Sequence, residues 1–162
     1  MGRHLDKISP ACANEYGAVI LRSVVMFVKD RKVSAAIALL KKCKKIQDGT
    51  GLYNLGFLHA YTGNLKSAMQ CYHEAMTRPI GPTVIAQIEE FVCWILEKEP
   101  DKYQLHYCLG YLNWKVKGDE VQALKDFETF LSLGKNQEYA RERDLTRKWI
   151  VEINGPNAAN HL

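Results

Sequence analysis

Apolar residues along this chain recur every three to four positions, and no stretch alternates with the period of two that a half-buried strand requires. The pattern predicts helices from end to end, and the punctuation between them allows a count. Ser9-Pro10 reads as an N-cap followed by a first-turn proline, opening a helix that runs to about Lys29. Ser34 caps a second helix, to about Gln47, stopped by Asp48-Gly49. A third covers about Leu52–Thr62. Gly63-Asn64 turns the chain into a fourth, which ends near Arg78. Pro79, Gly81 and Pro82 forbid continuation, and Thr83 caps a fifth helix to about Lys98. Asp101 and Gln104 have capping-box spacing at the start of a sixth, and Asp119 and Gln122 repeat it after Gly118 for a seventh. Gly134 ends that helix, Asn136 caps an eighth to about Ile153, and the tail Gly155–Leu162 has no periodicity. The expected fold class is all-α.

Two of these hairpins carry the same marks. In Leu52–Arg78 and Gln104–Leu133 a Leu-Gly pair sits mid-helix (Leu55-Gly56, Leu109-Gly110) and a Gly makes the turn. An Ala then precedes an aromatic by four residues. Ala36, Leu40 and Cys43 recur as Ala68, Tyr72 and Ala75 after 32 residues, and again as Ala123, Phe127 and Phe130 after a further 55. The small residue lets the second helix approach the first, and the aromatic one turn along fills the groove beside it. A mid-helix Gly costs about 1 kcal/mol relative to Ala, so its use twice in equivalent places implies a packing reason.

On these residues the hairpins resemble tetratricopeptide repeats, over about Tyr16–Cys43, Leu52–Arg78 and Tyr103–Leu133. The middle copy fits best, with Leu52, Leu55, Gly56, Ala68, Tyr72 and Ala75. The third carries one extra residue in its turn, and the first has Ser23-Val24 in place of Leu-Gly. The resemblance implies a single α-α superhelical domain over residues 1–162, with repeats at about 16–47, 50–78 and 101–133. The step from Gly56 to Gly110 is 54 residues, one repeat plus one helix, so the helix at 83–98 is extra. Apolar on more than half its circumference, it is expected to be buried on two sides. The helix at 136–154, with Leu145, Trp149 and Ile153 at spacing four, reads as a terminal cap.

In that family the first helix of each hairpin lines a concave groove. The implied peptide-binding residues are Arg22 and Lys29, beside Val25, in the first hairpin; Tyr53, Asn54, Phe57 and Tyr61 in the second; and Tyr107, Tyr111, Trp114 and Lys115 in the third. Aromatic stripes beside cations suit an extended or helical peptide bearing acidic groups. The same helical spacing equally serves interior packing. Family members that grip a terminal carboxylate pair Lys with Asn on these helices; here Cys108 and Tyr111 occupy places where polar groups would help, so that set is incomplete.

Composition narrows the function classes. A net charge of +4 is mild and gives no nucleic-acid footprint. The run Ala18–Val28 is interrupted by Arg22, too short to span a bilayer and too far in for an ordinary signal peptide. Five scattered cysteines, Cys12, Cys43, Cys71, Cys93 and Cys108, favour a reducing compartment, and a cytoplasmic location is the expectation. Cys71/His73 and His106/Cys108 are close pairs, but helix positions two apart diverge by about 200°, so neither chelates one metal from one face. No metal or cofactor is expected.

Lys41, Lys42, Lys44 and Lys45 form the strongest local charge feature, which reads mainly as a solvated helix end favoured by the helix dipole. Arg141–Lys148 reads as a solvated face. Glu89 and Glu90 are adjacent and diverge, the histidines have no evident nucleophile partner, and no Gly-rich loop follows a strand. The expected function is therefore a non-catalytic interaction module or adaptor docking a partner peptide or helix in an aromatic groove. Two alternatives stand beside it: a homo-oligomeric scaffold subunit, and a regulatory domain binding an acidic or phosphorylated ligand through the lysine run.

Overall fold

The computed structural model describes residues 16–42, 49–81, 83–133 and 138–155, and within them the chain is all-α, with no strand. The helices are α1 (Tyr16–Val28), α2 (Val33–Lys42), α3 (Gly49–Tyr61), α4 (Leu65–Met76), α5 (Val84–Lys98), α6 (Leu105–Leu112), α7 (Glu120–Leu133) and α8 (Ala140–Asn154). The expected starts at Ser9 and Asn136, the stop at Gly134, Cys12, Cys43, Lys44, Lys45 and the tail after Gly155 lie outside the described residues. The chain divides into two compact units, Met1–Val84 and Ile85–Leu162.

In the first unit α1 pairs with α2 and α3 with α4, while α2 and α3 touch. α3 is enclosed on nearly every side: Leu52, Tyr53, Leu55, Phe57, Leu58, His59 and Ala60 are all buried. Ala36, Ala68 and Ala75, the repeated small residues, are completely buried. The turn before α4 uses Gly63 at φ 80° and Asn64 as N-cap, whose side-chain oxygen accepts the Ser67 N–H at 3.1 Å.

The mid-helix glycines explain themselves. A methyl group on Gly56 would lie 2.4 Å from the Tyr72 ring, and one on Gly110 would lie 2.5 Å from the Phe127 ring. Each aromatic is at most 1% exposed, so neither ring has room to retreat. Gly56→Ala and Gly110→Ala should therefore each lose about 1–3 kcal/mol by overpacking, despite alanine's better helix propensity. Chemical denaturation of the two variants checks this; an increase in stability would show that the rings give way freely.

In the second unit α6 pairs with α7 through that Gly110–Phe127 contact. The extra residue of this hairpin is absorbed as a π-helical turn, Asn113–Lys117, ended by Gly118 at φ 71°. The N–H of Asp119 closes on the Asn113 carbonyl at 2.9 Å. A wider turn of helix accommodates one added residue without moving the flanking helices off their seam.

Three expectations need correction here. Helix α6 begins at Leu105, not at Asp101: Pro100–Gln104 forms turns, and Gln104, expected inside the first turn, is instead the N-cap position and makes no side-chain cap there. The equivalent box before α7 is half formed. Asp119 accepts the Gln122 N–H at 3.0 Å, but the Gln122 amide turns away to Asp126 at 3.2 Å. Finally, α5 is buried along one stripe (Ile85, Ile88, Val92, Ile95) rather than on two sides, and Trp94 stays 39% exposed. Its apolar residues outnumber the positions available on its buried stripe.

The charged stretch of α8 also divides. Arg141, Arg147 and Lys148 are exposed, as a solvated face requires, but Arg143 is 6% exposed. Its guanidinium donates to the carbonyls of Leu131 at 2.7 Å and Phe130 at 3.5 Å, satisfying acceptors in the last turn of α7.

Candidate functional site

The first-helix residues separate by burial. In the first unit Arg22 on α1 and Lys29, in the turn just after it, are exposed, with Val25 half-buried. Tyr53 is 1% exposed and stacks on Tyr72 with ring centres 5.9 Å apart. Phe57 is 4% exposed, and its ring meets Phe27 edge-on at 5.4 Å. Tyr61, half-buried, meets the same Phe27 at 4.7 Å. Phe27 thus joins α1 to the aromatic stripe of α3, and nothing in the repeat pattern singled it out. Asn54 is half-buried, and its amide donates to the Thr50 carbonyl of its own helix at 2.8 Å.

In the second unit the corresponding stripe is covered by α8. Trp149 lies 5.2 Å from Tyr107, 5.5 Å from Tyr111, 6.0 Å from Trp114 and 5.5 Å from Phe127, measured between ring centres. Tyr107 and Tyr111 are buried, and burial raises the pKa of both hydroxyls. Trp114 is half-buried. Lys115 is exposed, yet its Nζ sits 3.2 Å from the centre of the Trp114 ring and 3.4 Å from Glu152 Oε1 on α8. The apolar stripe of the last helix and the aromatic stripe of α6 have thus found each other. The residues of the expected groove that remain accessible are Arg22, Lys29, Lys115 and, in part, Asn54, Tyr61 and Trp114.

A polar centre that the repeat pattern did not reveal lies beside this cluster. Asp126, 4% exposed, accepts from Asn113 Nδ2 at 3.0 Å and from Gln122 Nε2 at 3.2 Å, and its other oxygen faces His106 Nδ1 at 3.1 Å. A buried carboxylate demands such partners. Its location ties α6, the π turn and α7 together. The available signal was an acidic residue three positions after Ala123 and one before Phe127, at the margin of the apolar face.

The Cys71 thiol is pushed up to about 11, mainly by burial, with Glu74 adding to the effect and Lys41 opposing it. His73 Nδ1 hydrogen-bonds the Met69 carbonyl at 2.8 Å. Among the described residues no group of three His, Cys, Asp or Glu side chains is placed to hold a metal ion, and no helix is long and apolar enough to cross a membrane.

His59, 6% exposed in α3, has its pKa lowered by burial and secondarily by Lys41. The unfolded chain, titrating near the ordinary 6.5, therefore takes up the proton first as pH falls. Stability should drop as the solution is acidified from about pH 6.5 through the lower folded-state value, and this contribution should be flat above that window. Denaturation at a series of pH values checks it: His59→Gln should lessen the slope within the window, and an unchanged slope would remove His59 as its source.

No family model, curated protein or solved structure matches this chain significantly.

Proposed function

We propose that the chain is a non-catalytic protein-interaction module built from tetratricopeptide-like hairpins, acting in the reducing cytoplasm. The observation that carries this reading is the repeated seam. Gly56 against Tyr72 and Gly110 against Phe127 are the same packing solution, 54 residues apart on the first helix and 55 on the second. Hairpins built to one plan are the units of binding solenoids. The buried polar groups support the reading too, because Asp126 and Arg143 are spent on holding helices together.

The accessible part of the expected groove directs the docking mode. Arg22 on α1 and Lys29, in the turn directly after Val28, are both exposed. They would hold acidic side chains of a partner segment. Tyr53 and Phe57 then act by keeping the helices of the first unit rigid, as Tyr107 and Tyr111 do within the second.

The test is affinity capture from native extract with the full chain and with the double variant Arg22→Glu/Lys29→Glu. Because both positions are exposed, the variant should fold normally and lose its specific partners. Undiminished capture would overturn this docking mode. The same material separates the alternatives: mass that grows with concentration points to a self-assembling subunit, and capture lost only in Lys41→Glu/Lys42→Glu points to the lysine run.

A further inference from the structure

Helix α5 turns an unusual face to solvent. Its buried stripe runs through Ile85, Ile88, Val92 and Ile95, so the opposite arc carries Gln87, Glu90, Trp94, Glu97 and Lys98, all exposed. The half-buried Phe91 stacks on Trp94 with ring centres 5.8 Å apart and planes 15° from parallel. That stack steadies the indole while 39% of Trp94 stays open. Glu90 precedes Trp94 by four positions and Glu97 follows it by three, which sets both carboxylates on one flank of the indole. Lys98 lies on the other flank, with Phe91. Among the described residues neither Glu90 nor Glu97 forms an ion pair, whereas the adjacent Glu89 is held by Lys117 at 2.7 Å.

A steadied indole with two unpaired carboxylates at its side is complementary to a guanidinium. Arginine can lay its plane on the ring and still direct N–H groups sideways to carboxylates, which a lysine ammonium does less well. We propose that the Phe91–Trp94 face of α5 docks an arginine-bearing basic segment of a partner protein, with a guanidinium on Trp94 paired to Glu90 and Glu97. The chain as a whole carries +4, so a basic segment meets no general attraction, and its docking must be local to this acidic, aromatic face. It uses none of the residues of the Arg22/Lys29 pair and asks for the opposite charge in its partner.

The test is a titration of the full chain, labelled at the indole nitrogens, with a short oligo-arginine peptide. The three tryptophans give three indole N–H resonances, and Trp94→Phe identifies that of Trp94. The Trp94 resonance should shift saturably, more strongly with oligo-arginine than with oligo-lysine, and not with oligo-glutamate. Glu90→Gln/Glu97→Gln should weaken binding about tenfold or more, and Trp94→Ala should abolish it. All three positions are exposed, so unmoved Trp114 and Trp149 resonances will confirm that the fold is intact. A shift that survives the carboxylate changes, or peptide binding that survives Trp94→Ala, would overturn the proposal. Concentration-dependent changes at Trp94 without peptide would also overturn it, by making a second copy of the chain the occupant.

Discussion

Tyr107→Ala should destabilise the second unit by about 3–5 kcal/mol, as expected for removing a large ring from a packed interior. Tyr107 is 1% exposed and lies between Phe130, at 5.3 Å, and Trp149, at 5.2 Å, so its loss leaves a cavity shared by α6, α7 and α8. A cost of that size is a large share of the stability of a small folded unit. Thermal and urea melts of Tyr107→Ala, with Tyr107→Leu as an intermediate truncation, would measure it. An open-groove anchor behaves otherwise, because truncating an exposed side chain usually changes stability by about 0.5 kcal/mol or less. A small loss would therefore return Tyr107 to the ligand surface and lift α8 off the aromatic stripe.

Asp126→Ala should cost about 2–4 kcal/mol, because it strands the amide of Asn113 and removes partners from His106 and Gln122. Asn113 is 1% exposed, so no solvent is at hand to replace the carboxylate. Asp126→Asn should recover part of the loss, since its carbonyl still accepts one of these bonds. The π turn provides a local readout. The Asp119 amide closes that turn on the Asn113 carbonyl, and its hydrogen exchange should accelerate in Asp126→Ala beyond what global destabilisation explains. Exchange at Asp119 that merely tracks global stability would leave Asp126 a packing residue without a special role in the turn.

These two variants also mark where sequence reading succeeds and where it stops. The Leu-Gly pairs, turn glycines and Ala-to-aromatic spacing state which helices pair, because the partners are neighbours in the chain joined by turns of fixed chemistry. That the glycines meet the rings themselves, Gly56 against Tyr72 and Gly110 against Phe127, is what the packing adds. The aromatic stripes were equally legible as stripes, but not as surface or interior. Tyr53 and Phe57 are enclosed because α4 and the Phe27 of α1 close on them, and Tyr107 and Tyr111 because Trp149 reaches back from α8. Helical periodicity says which residues share a face and is silent on what covers it.

The polar residues repeat that division. Asp119 was readable as a cap and Gly63-Asn64 as the turn into α4, where Asn64 proves to be the N-cap, because both act within their own first turn. Arg143, read as part of a solvated face, instead serves carbonyls of the preceding helix, and Asp126 gathers partners 4, 13 and 20 positions away.

The sequence by itself thus determined the all-α class, most of the helix boundaries and the small-against-large seams, since each is set by interactions within a few turns of chain. Only the tertiary structure decided that α5 keeps Trp94 exposed, that α8 covers the aromatic stripe of α6, and that Asp126 and Arg143 are interior groups. Burial is a property of what the rest of the chain brings to a face, and it is settled by packing between helices rather than by the period of any one of them.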